Sequence, residues 1–259
     1  MPDLIQSAWN TLDLETWQAV AAIAAVLAGS TISGLTGFGF ALVIVPILLL
    51  LFAPATVVVI TSGLAIASGL PILIEDRTKI RIRIVSPLMI PALLGLLVGV
   101  SILTTVDTRF ITLTAGLLVM IFAIMVARGF LIPGIRSRLA PIVAGFASGV
   151  LGTSTGMLGP PVVLFLTDRT PDPRVFRASI TFYFSVMNTI GVLLVAQTGF
   201  VGEREFGLAI LLLPIALFGR RLGQRILHRI DPGQFRRITL GLLLLTGASG
   251  MITALVGLI

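Results

Sequence analysis

Glycines that interrupt two apolar segments are the residues of this chain best suited to binding chemistry. Gly37 and Gly39 break the first segment, and Gly152, Gly156 and Gly159 break the second. A helix that restarts after such a break presents unpaired backbone N–H groups and the positive end of its dipole, which together attract an anion. The pattern therefore predicts an anion site, with further interruptions at Pro46, Pro160 and Pro161.

Hydroxyl, amide and guanidinium groups near the breaks could complete such a site. A hydroxyl or amide can donate to an oxyanion, although a single Ser or Thr in a helix often bonds a carbonyl of its own helix instead. Arg177, Arg220 and Arg221 are expected to snorkel toward the interface, and a cavity-facing role is kept open for Arg177 or Arg221. The predicted substrate-binding residues are Ser33, Thr36, Gly37, Phe38, Gly39, Gly152, Thr153, Ser154, Thr155, Gly156, Tyr183, Asn188 and Arg177.

Groups for catalysis or metal binding are absent from the apolar stretches of the sequence. An intramembrane enzyme would need a nucleophile with a base, a carboxylate pair or metal ligands at membrane depth. The chain has no cysteine, and no Asp, Glu, Lys, Arg or His occurs in residues 18–74, 84–106, 110–127, 139–167, 178–202, 206–219 and 238–259. We therefore expect no enzyme activity, no metal and no cofactor, and no carboxylate that could relay protons through the bilayer centre.

The segments that carry these residues have the composition of a membrane protein. Of 259 residues, 56% are hydrophobic and 11% are charged, and the mean hydropathy is +1.10. A soluble domain carries about 25% charged residues. The net charge of +7 comes from basic residues in short loops, which indicates topology rather than nucleic-acid binding. The composition predicts an all-α integral membrane protein in a lipid bilayer, with no nucleic acid as a partner; the helix breaks add a small anion as the expected partner.

An internal duplication organises the chain. The motif SGLTGFGFALVIVP returns 115 residues later as SGVLGTSTGMLGPP, which matches Gly34 to Gly149. Farther along, Gly95 matches Gly219 in the same order. Glycines that only permit close helix packing would explain one break, but two breaks at matching positions favour a binding site.

The duplication predicts two inverted repeats, each a Gly/Pro-broken helical hairpin plus three transmembrane helices, with about 8–10 membrane segments in all. The predicted divisions are an interfacial N-terminal lead at 1–16, a first transmembrane repeat at 17–128, a cytoplasmic linker at 129–138 and a second transmembrane repeat at 139–259. The predicted helices are 17–34 with 38–52, then 54–74, 84–105 and 109–127, and 139–152 with 157–167, then 177–198, 205–227 and 234–257.

Basic residues in the short loops set the expected orientation. The loops with Lys79, Arg138 and Arg225 are predicted to be cytoplasmic, and those at 104–108 and 203–205 external. This threading requires each hairpin to enter and leave on the same side, so that the repeats are inverted about an axis in the membrane plane. Both termini are then extracytoplasmic in a bacterial inner membrane. Whether the hairpins are re-entrant or fully spanning stays open at this point.

At its motifs the chain resembles the sulfite exporter family of TauE/SafE type, a group of anion permeases built from a duplicated unit. The resemblance covers nearly the whole chain and is carried by GLTGFGFALVIVP, STGMLGPPVVLFL and FRASITFYFSVMN. It implies transport of sulfite, sulfonates or related organic anions. The chain departs from the family's commoner GGG cluster at Phe38, Phe40 and 153–155, so the identity of the anion is left open.

The sequence therefore predicts a permease for a small anion, namely sulfite, a sulfonate or a related sulfur-containing or organic anion. Transport is expected to proceed by alternating access around a midplane site at the helix breaks. A passive anion channel and a non-transporting membrane sensor or scaffold are the alternatives, since both could use the same breaks. The pattern does not distinguish export from import, H⁺ from Na⁺ as a coupling ion, or one oligomeric state from another.

Overall fold

A computed structural model of the chain describes residues 15–36, 38–128, 137–167, 169–170 and 172–227. These residues form helices joined by short loops. Within those residues there is no β-strand. The helices are α1 (Thr16–Thr36), α2 (Phe40–Leu48), α3 (Pro54–Glu75), α4 (Ile82–Thr105), α5 (Thr108–Arg128), α6 (Ala140–Thr155), α7 (Gly159–Thr167), α8 (Pro173–Ala196) and α9 (Glu203–Leu227), with a 3-10 turn at Arg77–Lys79.

Six of the described helices, namely α1, α3, α4, α5, α8 and α9, are long and apolar enough to cross a membrane. Large apolar side chains point outward from them, and Ile90 and Ile210 are 72% and 70% exposed. Apolar side chains on the outer surface are compatible with contact to lipid rather than to water. Helices α2 and α7 have 9 residues each, well short of the roughly 20 residues that span a bilayer. The prediction of an all-α integral membrane protein is confirmed.

Within the described residues the predicted helices correspond to the observed ones, with differences at their ends. The helix predicted at 177–198 begins earlier, at Pro173, because the Asp172 carboxylate accepts hydrogen bonds from the first backbone N–H groups, at 2.8 Å for Arg174. Some predictions lie outside the described residues: the helix at 234–257, Gly37, and most of the lead 1–16 and of the linker 129–138.

Each of the two interrupted segments reverses at a glycine with left-handed backbone. Gly152 and Pro46 were wrongly predicted as interruptions, because α6 and α2 continue past them. Gly39 has φ 91° and Gly156 has φ 82°, a region that residues with a side chain rarely adopt. After the first reversal α2 lies back along α1, where Gly29 abuts Ile44. After the second, α7 packs against α6. The two interrupted segments are therefore the helical hairpins α1–α2 and α6–α7.

Helix α6 is packed most extensively against α4, through contacts that only glycine permits. A Cβ on Gly145 would overlap the carbonyl oxygen of Leu88, and one on Gly149 would overlap that of Ala92. The contact points advance along both helices together, so α4 and α6 run in the same direction. Their backbones approach more closely than side chains would allow.

Helix α9 packs on α1 through an equivalent contact. Gly34, which the duplication matches to Gly149, lies against the carbonyl oxygen of Arg220, just as Gly149 lies against that of Ala92. Each hairpin is thus held by a helix from the other part of the chain: α1–α2 by α9, and α6–α7 by α4.

The contacts also show which residues of α4 and α9 hold equivalent positions. Gly223 lies against the carbonyl oxygen of Thr31, and Gly95 lies against that of Phe146. Thr31 and Phe146 are 115 residues apart, whereas Gly95 and Gly223 are 128 apart. The contacts therefore pair Gly95 with Gly223, about one helical turn beyond Gly219, to which the sequence matched it.

Helices α3 and α8 pack against each other at the centre of the bundle and run in opposite directions. The Ser62 hydroxyl donates to the amide oxygen of Asn188 at 3.0 Å, and Gly69, farther along α3, lies beside Thr181, which comes earlier on α8. Both hairpins border this central pair. The centre is therefore where the two reversals come near one another.

Candidate functional site

A cavity of about 70 Å³ lies between the two reversals. One water molecule needs about 10–15 Å³ of such space, so the cavity has room for a ligand of several heavy atoms. Among the described residues that line it, none is acidic and one is an arginine. The lining consists of Ser33, Phe38, Gly39, Phe40, Ala41, Leu42, Thr61, Ala65, Ser68, Gly69, Gly156, Leu158, Gly159, Pro160, Thr181, Phe184, Asn188 and Arg220.

The first reversal directs a helix N-terminus at this cavity. Gly39 precedes α2, and Phe40, Ala41 and Leu42 form its first turn; all four residues line the cavity. N–H groups in the first turn of a helix have no acceptor within that helix. The first backbone hydrogen bond of α2 runs from the Val43 N–H to the Gly39 carbonyl at 3.3 Å. These donors and the positive end of the helix dipole favour an anion.

The second reversal offers fewer donors. Helix α7 begins at Gly159, and the next two residues, Pro160 and Pro161, have no N–H. The Leu158 carbonyl accepts a hydrogen bond from the Ser148 hydroxyl at 2.7 Å, which ties this reversal to α6. The two hairpins are therefore chemically different where they meet the cavity, with more donors on the side of α2.

Arg220 on α9 supplies the positive charge of the lining. Its side chain is 8% exposed, and one guanidinium N–H donates to the Ser68 carbonyl on α3. The charges of Arg177 and Glu75 act on it electrostatically. A buried ionisable group within a membrane segment is costly, and it marks a functional site by default.

The three arginines near helix ends have different surroundings. Arg221 is exposed, as expected for a side chain that snorkels. The same expectation for Arg220 was wrong, because its backbone lies on the face of α9 that packs against Gly34, which turns the side chain inward. Arg177 is half-buried and outside the lining, and its Nε–H is buried with no hydrogen-bond partner among the described residues.

Asn188 on α8 is held in a fixed orientation beside the cavity. Its side-chain oxygen accepts the bond from Ser62, and the two residues are 7% and 2% exposed. An amide has both an acceptor and two N–H donors, so this bond leaves the Nδ2 group as a donor. Asn188 thus adds a neutral donor to the lining.

Most of the predicted binding residues fall into two groups. One group lines the cavity, and the other lies in α6 and α8, outside the lining; Thr36 and Gly37 belong to neither group. Thr36 is the last residue of α1, and Gly37 lies outside the described residues. The predicted residues that line the cavity are Ser33, Phe38, Gly39, Gly156 and Asn188.

The last turn of α6 holds four of the predicted residues, which the structure places away from the lining. Gly152 packs against the Leu158 side chain. The Thr153 hydroxyl donates to the Leu96 carbonyl on α4 at 2.7 Å. The Ser154 and Thr155 hydroxyls donate to carbonyls four residues earlier, at 2.7 and 2.8 Å. These hydroxyls are thus engaged in helix contacts.

Tyr183, also predicted as a binding residue, forms a chain of hydrogen bonds instead. Its hydroxyl donates to the Ser148 hydroxyl at 3.0 Å, and Ser148 in turn donates to the Leu158 carbonyl at 2.7 Å. Tyr183 is fully buried and is outside the cavity lining. The chain of bonds connects α8, α6 and the second reversal.

Sequence reasoning missed the lining residues on α3 and, on α8, Phe184. A helical spacing of small and polar residues was the available signal, because side chains three, four or seven apart share one face. On α3 this face carries Thr61, Ala65, Ser68 and Gly69, and on α8 it carries Thr181, Phe184 and Asn188.

Comparison with known proteins places this chain in a family. The model of the sulfite exporter TauE/SafE family matches residues 21–250, which include most of α1, all of α2 to α9 and the whole cavity lining. The chain belongs to this family. A curated relative from Cupriavidus necator, named "Probable sulfite/organosulfonate exporter TauE", is 25% identical over 242 residues, which cover 88% of this chain and 91% of the relative. No solved structure gives a significant match.

Membership confirms the resemblance carried by the motifs. Members of the TauE/SafE family are transporters rather than enzymes, and the six apolar helices agree with a multi-pass membrane protein. The predictions of a membrane location and of transport are therefore confirmed.

Proposed function

We propose that this TauE/SafE family member exports sulfite, an organosulfonate or a related anion across a bacterial inner membrane, with the cavity as its binding site. The lining carries the proposal: it joins a helix N-terminus, a buried guanidinium and an oriented amide, with no acidic group among the described lining residues. The name of the Cupriavidus necator relative supports this cargo class.

The cavity suits an anion with a small organic group. Arg220, the Ala41 N–H and the Asn188 amide offer donors to a sulfonate or sulfite head. Phe184 and Pro160 form an apolar wall, against which a short carbon chain would be buried. The oxyanion would thus face α2, α9 and Asn188 of α8, and the organic part would face Pro160 of α7 and Phe184 of α8.

Transport would proceed by alternating access between two inverted repeats, 17–128 and 139–259, preceded by the lead 1–16 and joined by the linker 129–138. Helices α3 and α8 hold the same place in the two repeats and run in opposite directions, as an inversion requires. The contacts of Gly34 with Arg220 and of Gly149 with Ala92 support the same symmetry. In this arrangement both termini are extracytoplasmic.

Removing one backbone donor from the cavity tests the binding site. Ala41→Pro deletes the N–H, and the first turn of a helix accommodates proline, as Pro160 and Pro161 show in α7. We expect sulfite or methanesulfonate to bind about 10- to 150-fold more weakly, which corresponds to about 1.5–3 kcal/mol for a hydrogen bond to a charged group. Ala41→Gly is the matched control, because it keeps the N–H and should keep most of the affinity.

Binding is measured as ligand-dependent thermal stabilisation of purified protein, and transport as flux into proteoliposomes. A carrier should show saturable flux and counterflow, whereas a channel should show flux without counterflow. A protein that binds none of sulfite, thiosulfate, methanesulfonate and acetate, and that supports no flux, would refute the proposed function. Equal affinity in the Ala41→Pro and Ala41→Gly variants would move the site away from α2.

A further inference from the structure

We propose that Arg220 is the charge-selecting residue of the cargo site and that Arg177 reinforces its field from α8. The proposal rests on the proposed function, since it names the residues that recognise the charge of the same cargo. It differs from the sequence-based expectation, in which Arg220 only reaches the membrane interface.

Burial is the first step of the argument. Arg220 is 8% exposed and lines the cavity, yet it forms no ion pair among the described residues. Its hydrogen bond to the Ser68 carbonyl uses one of the five N–H groups of a guanidinium. A buried cation is normally paired with an anion. A cargo anion would supply the missing partner.

Packing does not explain the arginine. The contact of α9 with α1 brings the backbone of Arg220 against Gly34, and the equivalent contact of α4 with α6 brings Ala92 against Gly149. Alanine therefore suffices at this position of the interface. The guanidinium is additional to what the helix pair needs.

A second guanidinium strengthens the positive field. Arg177 acts on Arg220 by like-charge repulsion, and the exposed Glu75 is the acidic group that acts on it by attraction. The Arg177 Nε–H is buried without a hydrogen-bond partner among the described residues. Two guanidiniums near one carboxylate leave an excess of positive charge, which an anion relieves on binding.

The carbonyl that Arg220 now contacts can be exchanged for cargo. Ser68 lies within α3, where the regular α-helical donor to its carbonyl is the N–H of Ile72, four residues later, so this carbonyl does not depend on the guanidinium for a partner. A hydrogen bond to an ionised oxygen is stronger than one to a neutral carbonyl. Cargo would therefore draw the guanidinium from Ser68 into the cavity.

Neighbouring arginines on α9 provide a matched test. In Arg220→Gln protein we expect sulfite and methanesulfonate to bind about 10- to 150-fold more weakly, because one charged hydrogen-bonding group is lost. Arg220→Lys should recover part of the affinity, since an ammonium keeps the charge but not the planar fork. Arg221→Gln should bind within about 2-fold of the unaltered protein, because Arg221 is exposed and outside the lining.

Arg177→Gln keeps the test decisive if Arg220→Gln does not fold. Removing Arg177 relieves repulsion, so the melting temperature without anion should stay the same or rise, while the stabilisation by sulfite should shrink. A purely structural arginine predicts the opposite, a lower melting temperature with undiminished sulfite stabilisation. Full affinity in folded Arg220→Gln protein would overturn this inference and leave the proposed function intact, whereas an unaltered protein that binds no anion would overturn both.

Discussion

Tyr183 allows a test between two roles. The sequence predicts that it binds the anion, whereas the structure shows it in a hydrogen-bonded chain that connects helices. Its hydroxyl donates to Ser148, which donates to the Leu158 carbonyl in the second reversal. Tyr183→Phe removes one hydroxyl and leaves the bond from Ser148 to Leu158 in place. We expect a loss of about 0.5–1.5 kcal/mol in the free energy of unfolding, the usual net value of one hydrogen bond.

Ser148→Ala should be more damaging than Tyr183→Phe, because it leaves two buried groups without a partner. Leaving the Tyr183 hydroxyl and the Leu158 carbonyl unpaired should each lower the free energy of unfolding by about 1–3 kcal/mol, or by about 2–6 kcal/mol together. In the double variant Tyr183→Phe with Ser148→Ala only the carbonyl remains unpaired. The double variant should therefore be more stable than Ser148→Ala alone, a non-additivity that reports the direct bond.

The assay is denaturant unfolding in mixed micelles, with sulfite affinity measured per folded molecule. All three variants should bind sulfite normally once the unfolded fraction is subtracted, because Tyr183 and Ser148 are outside the cavity lining. A Tyr183→Phe protein with unaltered stability and weakened sulfite binding would refute the structural role and return Tyr183 to the cargo site.

Two further predictions concern packing and orientation. Gly149→Ala should destabilise the protein by about 1–3 kcal/mol or more in the same unfolding assay, because its Cβ would overlap the Ala92 carbonyl oxygen; Gly63→Ala, whose Cβ would meet its nearest neighbour at 3.4 Å, is the control and should be nearly neutral. Single cysteines placed at Lys79 and Gly202 should react with an impermeant maleimide on intact cells only at Gly202, and labelling of both from outside would exclude the proposed inversion.

The helices and the reversals could be predicted because their causes are local. Apolar length sets a transmembrane helix, and a glycine run such as that around Gly39 or Gly156 supplies the left-handed backbone of a reversal. The resemblance to the TauE/SafE family also depends on contiguous motifs. For these features no knowledge of the tertiary packing was needed.

The cavity lining could be predicted only in part, because it depends on how whole helices are rotated. Arg220 and Arg221 have the same depth and composition around them, and an α-helix turns by about 100° between them, so only the packing of α9 on α1 decides which one is buried. In α6 the Thr153, Ser154 and Thr155 hydroxyls found acceptors in nearby carbonyls. Sequence reasoning weighed that competition but could not resolve it.

The register of the duplication shows a similar limit. Both Gly219 and Gly223 are available as partners of Gly95, and the order of the repeated markers in the sequence matched it to Gly219. The carbonyl contacts at Thr31 and Phe146 select Gly223. A one-turn ambiguity of this kind arises wherever small residues recur every four positions along a helix.

The exchange of helices between the two parts of the chain changes what can move as a unit. Since α1–α2 is held by α9 and α6–α7 by α4, through backbone contacts at Gly34 and Gly149, we expect the units that move together to combine helices from both parts of the chain. A gene fragment that encoded only one of the two proposed repeats would leave its hairpin without the helix that packs on it, and the contact glycines would face lipid. We therefore expect the boundary between moving units to differ from the boundary between the proposed repeats.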